Sequence, residues 1–315
     1  ATSFFLRDAH NAADKIRKMR QGTYTLNEGR SAIYITNTKN FPNNSEFEAT
    51  LTFVGGSDAG RFVQAVAPST EAITLRMHHS FVALPDNKYK PRAYDIRSGY
   101  FGITYFDYGS DISEPIQKMF ISRHRLSKVN PNAAMSEAVK PIIYYLDNGT
   151  PEPIRSALLE GASWWNEAYE AIGFKNAFQV KILPDDADPM DCRYNVIQWV
   201  HRSTRGWSYG ASVVDPRTGE IIKGHVSLGS LRIRQDFLIA QALLSKPFVD
   251  DNNNDPMLKM AIARIRQLSA HEVGHTIGFA HNFAASTDNR SSVMDYPHPL
   301  IKITNDEIDL SEAYA

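Results

Sequence analysis

The sequence predicts an α+β fold in which a β-rich N-terminal region, residues 1–135, precedes a second domain, residues 136–315. Two observations support this prediction. The first region is dominated by runs in which apolar and polar residues alternate, as they do in half-buried strands. In the second region the order changes to a strand, a helix, three further strands and a long helix with one apolar face.

The N-terminal region begins with a short polar segment, residues 11–19, that predicts a helix. Strand-like segments follow it at residues 31–36, 47–53, 72–77 and 80–84. His78 and His79 lie between the last two of these segments. Neighbouring residues on a strand point to opposite faces of the sheet, so we do not expect this pair to hold one metal ion.

The second domain opens with an apolar strand at residues 141–146, and a helix is predicted from about Glu152 to Ala171, ended by Gly173. Residues 178–183 and 196–200 predict two more strands. A hairpin is predicted over residues 211–222, with its turn at 216–219, and its second strand continues through 226–228. An additional helix is expected at residues 231–244.

A long helix is predicted to start near Asp255-Pro256, because proline is favoured in the first helical turn. Met257, Ala261, Ile265 and Leu268 recur at helical spacing and give this helix one apolar face. The helix runs into residues 271–281, which read H-E-x-x-H-x-x-G-x-x-H.

Each fixed position of this motif has a physical role. Residues four apart lie one above the other on a helix, so His271 and His275 are positioned to hold one metal ion. Gly278 is able to adopt a left-handed conformation, which ends the helix and brings His281 back to the same ion. Three imidazoles with one open position are typical of a catalytic zinc site. Glu272 is expected to reach a water bound there and to act as general base.

A second motif, Ser292-Val293-Met294-Asp295-Tyr296-Pro297, resembles the methionine turn of the metzincin metalloproteases. That resemblance implies that Met294 forms an apolar floor under the metal. It also implies a catalytic role for Tyr296, which would bind the metal or the reacting oxyanion.

The chain resembles the bacterial Met-zincin family of secreted zinc-dependent metalloproteases from about residue 28 onward. Segments that carry the resemblance lie at residues 41–46, 91–102, 214–221, 278–285 and 292–297. The resemblance implies a metzincin-type catalytic domain, with a twisted and mostly parallel sheet, an active-site helix and a methionine turn. It implies one catalytic Zn²⁺, a peptide or protein substrate, and a secreted or periplasmic bacterial protein whose signal peptide has been removed.

The chain also resembles the A subunit of a cholera-toxin-like AB5 enterotoxin with a metzincin fold, which implies a pentameric B subunit as partner. The leading hypothesis is hydrolysis of peptide bonds, with the substrate extended along a sheet edge, for which residues 224–228 are the candidate strand. Two alternatives stay open: a binding or toxin-assembly module that keeps a weak or inactive zinc site, and hydrolysis of a non-peptide amide. No side-chain pocket for the substrate is assigned.

The composition of the chain limits which other partners, covalent links and metal ions are expected. The net charge of −1 over 315 residues gives no argument for nucleic acid as a partner, and no apolar run is long enough to span a membrane. Cys192 is the only cysteine, so no internal disulfide is expected. The run at residues 250–255 offers oxygen ligands, but their spacing differs from that of a calcium loop, so we expect solvated loop there.

Overall fold

The computed structural model describes residues 2–202, 207–244, 253–296 and 298–314. The chain folds into two compact units. The first contains residues 1–83 and 190–192, and the second contains residues 84–189 and 193–315. Residues 84–135, which the sequence groups with the N-terminal region, belong to the second unit. The predicted domain boundary near residue 135 stays a prediction.

The first unit is built on an antiparallel sheet with short helices beside it. Its elements are α1 (Thr2–Phe5), α2 (Ala12–Lys18), β1 (Tyr24–Ile33), β2 (Lys39–Asn40), β3 (Asn44–Gly55), α3 (Arg61–Val66) and β4 (Ala72–Val82). Strand β3 is central and pairs with the other three strands. Leu51 and Phe53 of β3 are fully buried and form the core together with Tyr24 and Ile73.

Two strand predictions in this unit need correction. The segments 72–77 and 80–84 form one strand, because β4 pairs with β3 without interruption from Ala72 to Val82. The polar side chain of His78 does not break the strand, since carboxylate oxygens of Glu46 and Glu48 on β3 lie 2.6 and 3.4 Å from its ring nitrogens. The segment 31–36 is a strand only to Ile33, after which a 3₁₀ turn covers Ile35–Asn37.

The second unit combines a five-stranded sheet with helices. It begins with a hairpin of β5 (Gly102–Phe106) and β6 (Gln117–Ile121) and continues through β7 (Ser136–Glu137), β8 (Ile142–Leu146), α4 (Ile154–Ser163), α5 (Trp165–Ala171), β9 (Phe174–Lys175), β10 (Phe178–Ile182), β11 (Asn195–Val200), β12 (Tyr209–Val214), β13 (Ile221–Gly229), α6 (Leu231–Leu244), α7 (Asp255–Thr276), β14 (Lys302–Thr304) and β15 (Glu307–Asp309). The order in the large sheet is β10-β8-β11-β13-β12. Its first four strands are parallel, and β12 is antiparallel to β13.

Strand β13 lies between β11 and β12, so both of its edges are already hydrogen-bonded. The prediction that residues 224–228 pair with a substrate is therefore wrong. The edge on this side of the sheet belongs to β12, the first strand of the predicted hairpin. The hairpin itself is confirmed, with its turn following Asp215.

The predicted helix from Glu152 to Ala171 is two helices, because the hydrogen-bonding pattern tightens at Trp164. The Trp164 N–H binds the carbonyl of Gly161 at 3.3 Å, and the Trp164 carbonyl accepts the N–H of Glu167 at 3.1 Å. Both are bonds between residues three apart, as in a 3₁₀ turn. At the start of α5 the indole N–H of Trp165 donates to the carbonyl of Ala270 in α7, at 2.8 Å.

Helix α7 is the element that positions the histidine motif. Its start at Asp255-Pro256 and its apolar face are confirmed, since Met257, Ala261 and Ile265 are buried. Every residue of its last ten, from Gln267 to Thr276, is buried. The motif therefore lies where the helix is enclosed on all sides, which makes it a rigid mount for ligands.

Candidate metal centre

The end of α7 brings two imidazoles together. His271 and His275 are one helical turn apart, and their Nε2 atoms lie 3.1 Å from each other. This is the geometry expected for side chains at i and i+4 on one helix face. His271 is buried, and His275 is 9% exposed, so both rings reach the site from the protein interior.

The third imidazole arrives through a tight turn after α7. Gly278 has a φ of +111°, which residues with a side chain rarely adopt, and a Cβ at this position would lie 2.1 Å from the carbonyl oxygen of Ser122. The Phe279 N–H binds the carbonyl of Gly274 at 3.0 Å and closes the helix end. His281 then places its Nε2 3.1 Å from that of His275. The predicted helix stop at Gly278 is confirmed.

The spacing of the three nitrogens fits a metal ion. A tetrahedral metal with metal–nitrogen bonds of about 2.0–2.1 Å separates its ligands by about 3.3 Å, close to the 3.1 Å found here. Within the described ranges, His271, His275 and His281 are the one group of three or more metal-ligating side chains whose ligand atoms lie close together.

Backbone carbonyls orient two of the rings. The Nδ1 of His271 lies 2.7 Å from the carbonyl of Val293, and the Nδ1 of His275 lies 2.8 Å from the carbonyl of Phe279. A carbonyl can only accept, so each Nδ1 carries the proton and each Nε2 presents its lone pair to the centre of the site. Such outer contacts fix the tautomer and ring orientation of metal-binding histidines.

Burial keeps the imidazoles neutral. It lowers the pKa of His271 to about 4, although the hydrogen bond to Val293 acts in the opposite direction. Burial also lowers the pKa values of His275 and His281. Neutral rings at pH 7 are ready to bind a metal without first losing a proton.

Glu272 lies beside the triad and is 6% exposed. Burial raises the pKa of its carboxyl to about 7, while the charge of Arg264 and a backbone hydrogen bond from Gly210 act to lower it. A carboxyl with a pKa near 7 is suited to exchange a proton at neutral pH. Gly210 belongs to β12, so the edge strand passes directly over this part of α7.

Met294 contacts the motif helix at Gly274. It is 4% exposed, and a Cβ placed on Gly274 would lie 2.3 Å from its sulfur. The carbonyl of Met294 accepts the N–H of Asn282 at 2.9 Å, which ties the turn to the segment carrying His281. The sulfur therefore lies against the helix turn between His271 and His275.

Tyr296 is the most exposed member of the site, at 59%. Its ring centroid is 4.3 Å from that of His281 and 5.4 Å from that of His271. Its pKa is raised by partial burial and by the charge of Glu272. The backbone N–H of Tyr296 donates to Asp295 at 2.7 Å, which holds this residue at the rim of the triad.

Comparison with known families agrees with this geometry. A family model described as Met-zincin matches residues 253–315, which include the whole motif and the methionine segment. The match and the histidine triad support a metzincin-like family. A second model, a domain of unknown function (DUF5117), matches residues 1–129. No curated protein matches the chain.

The Met-zincin match points to a metalloprotease, and a three-histidine site is compatible with zinc. Calcium has less support. Residues 250–252 of the acidic run lie outside the described residues, and the described part of the chain holds no other cluster of metal-ligating side chains. Among the described helices, none is long and apolar enough to cross a membrane.

The sequence motifs do not place residues 99–101 at the site, although these residues belong to a segment that carries the family resemblance. Residues 99–101 run beside the turn after α7: the Phe101 N–H binds the carbonyl of Gly278 at 2.8 Å, and the carbonyl of Gly99 accepts the Ala280 N–H at 2.9 Å. The Phe101 ring is 44% exposed and lies 5.6 Å from the ring of His275. No sequence pattern predicts this pairing, because it joins segments almost 180 residues apart.

Proposed function

We propose that this protein is a zinc-dependent endopeptidase. The observation that carries the proposal is the convergence of three imidazole Nε2 atoms beside the buried carboxyl of Glu272. This donor set fits zinc, since three neutral nitrogens leave one coordination position open for water or substrate. A zinc ion bound there would supply a Lewis acid and a water of lowered pKa.

The side chains around the triad divide the remaining tasks. Glu272 accepts a proton from the attacking water and later delivers it to the leaving amine, as expected of a general base with a pKa near neutrality. Tyr296 donates a hydrogen bond from its hydroxyl to the oxygen that becomes negative during the reaction. Met294 supports the two helical histidines from below, and Gly278 gives His281 its position.

The edge strand β12 offers a backbone for an extended substrate. It ends the order of the five-stranded sheet, and its Gly210 packs against the backbone of Glu272, where a Cβ would approach the carbonyl oxygen to 2.1 Å. An extended peptide that adds to this edge would run past the triad while its main chain is held by hydrogen bonds.

Two exposed phenylalanine rings support an apolar substrate side chain. Phe101 lies 5.6 Å from the ring of His275, and Phe283 lies 5.1 Å from the ring of His281. Both are largely open to solvent, at 44% and 58%. Rings held beside a reactive centre would release water when an apolar side chain covers them, which favours peptides with such residues near the cleaved bond.

The test compares Glu272→Gln with the wild-type protein on a peptide library read by mass spectrometry. We expect at least a 100-fold loss of cleavage, of the order that a general base contributes, with one zinc per chain retained. Glu167→Gln, at an exposed position of α5, is the matched control and should cleave normally. Zinc-loaded wild-type protein that cuts no peptide, or a Glu272→Gln variant that still cuts, would contradict the proposal.

The alternative of a binding module with an inactive zinc site is weaker, because the carboxyl, the three histidines and Tyr296 are all in place. Hydrolysis of a non-peptide amide would appear in the same experiment as zinc binding without peptide cleavage. Secretion or a periplasmic location, and assembly with a pentameric B subunit as an AB5 toxin, stay predictions from the resemblance alone.

A further inference from the structure

A strongly basic cavity lies in the second unit, and no residue of the histidine triad lines it. It has a volume of about 620 Å³, within the range of small-molecule sites. All charged side chains that line it are cations: Lys88, Lys90, Arg92, Arg123 and Arg125. The segment 88–92 and the segment that follows β6 form its walls.

The chain neutralises only part of this charge. Glu220 and Asp86 both bind Arg125, at 2.7 and 2.8 Å. The five cationic side chains that line the cavity and these two carboxylates together carry a net charge of +3. In the part of the chain that the structure describes, no carboxylate forms an ion pair with Lys88, Lys90, Arg92 or Arg123. Clustered like charges repel one another, so the cavity is complementary to an anion.

The two central arginines are held in place before any ligand binds. The guanidinium groups of Arg123 and Arg125 lie 4.6 and 5.8 Å from the ring centre of the buried Tyr89. The Arg123 Nη2 donates to the carbonyl of Lys90 at 2.7 Å, and its Nε is buried without a hydrogen-bond partner among the described residues. A side chain fixed in this way loses little conformational entropy on binding.

We propose that this cavity binds a small ligand that carries two or more phosphate groups. Guanidinium groups match the geometry of phosphate oxygens, and lysines add point charges around them. The surplus of three charges exceeds what one monoanion would neutralise, and the volume exceeds what a single phosphate would fill. The proposal is independent of the peptidase proposal, because none of the cavity residues belongs to the triad or its supports.

The test uses fructose 1,6-bisphosphate as probe in isothermal titration calorimetry at low ionic strength. We expect binding that weakens as salt is added, because the contacts are ionic. The double variant Lys90→Gln/Arg92→Gln should bind at least about tenfold more weakly, with an unchanged circular dichroism spectrum. The control Lys175→Gln/Lys181→Gln removes the same charge from exposed positions of β9 and β10 and should bind within about twofold of wild type.

Two further ligands test whether the cavity prefers two phosphate groups over one, and phosphate over carboxylate. Fructose 6-phosphate should bind more weakly than the bisphosphate, and citrate should bind more weakly than either. No binding of the bisphosphate, equal loss in both double variants, or citrate binding as tightly as the bisphosphate would each overturn the proposal.

Discussion

At the scale of single residues, three glycines set how closely other groups approach helix α7. A Cβ on Gly274 would meet the sulfur of Met294 at 2.3 Å, and one on Gly210 would meet the carbonyl of Glu272 at 2.1 Å. Gly278 combines a positive φ with a backbone contact to Ser122. Of these, the motif itself specifies only Gly278; the other two are required by what packs on α7 from the sheet and from the methionine turn.

Tyr296 gives a prediction that separates its hydroxyl from its ring. Tyr296→Phe keeps the aromatic contact with His281 but removes the donor, so we expect kcat to fall about 100-fold, the order measured for loss of one oxyanion donor. The zinc content should stay at one per chain and KM should change little. Tyr108→Phe, at an exposed position of the same unit, serves as control. An unchanged kcat would assign Tyr296 to packing only.

His124 predicts how stability depends on pH. Its Nε2 is buried without a hydrogen-bond partner in the described chain, and burial together with the charge of Lys140 lowers its pKa to about 3. In an unfolded chain a histidine has a pKa of about 6.5, so between these values the unfolded state binds more protons. His124 therefore leaves the free energy of unfolding unchanged above about pH 6.5 and lowers it progressively as the pH falls towards 3.

The measurement is the free energy of unfolding in urea at several pH values between 6.5 and 4. His124→Gln should reduce its dependence on pH by up to about 1.4 kcal/mol per pH unit, because glutamine does not titrate. Parallel curves for the two proteins would show that His124 is not the group responsible.

At the scale of elements, the packing of α4 on α7 depends on one glycine. A Cβ on Gly161 would lie 1.9 Å from the carbonyl oxygen of Arg266, a backbone atom that side-chain rotation cannot move away. Gly161→Ala should therefore push the two helices apart and lower the free energy of unfolding by about 1–3 kcal/mol, despite the better helix propensity of alanine. Gly149→Ala, whose Cβ meets only the Asp147 side chain at 3.4 Å, is the control. Equal stability of both variants would contradict the prediction.

Helix α7 also shows which features of the fold could be predicted from the sequence. The histidine motif and the apolar face of α7 are local patterns, so the helix, its end at Gly278 and the convergence of its histidines follow from residue spacing. The order of strands in a sheet is not local, which is why the sequence points to residues 224–228 as the edge although β12 occupies it. The position of Phe101 at the site could not be predicted for the same reason, since its backbone pairing with Gly278 joins distant segments and leaves no periodic signal in the sequence.

At the scale of the whole molecule, the three histidines of the candidate metal site all belong to one of the two compact units. His271, His275 and His281 lie in the second unit, whose core includes Tyr144 of β8 and Ile197 of β11. A metal that binds only the folded form stabilises what it binds, by about 4 kcal/mol at a free concentration of 1,000 times Kd. The strands of the first unit have their own core around Leu51 and Phe53.

Removal of the proposed zinc ion should therefore weaken the two units unequally, and hydrogen exchange measures each of them separately. With a chelator, the amides of β8 and β11 should exchange faster, while those of β3 and β4 should keep their protection. The His275→Ala variant, which lacks one ligand, should show fast exchange in β8 and β11 with or without chelator. If the amides of β3 and β4 accelerate as much as those of β8 and β11, the two units unfold together and the metal stabilises the entire chain.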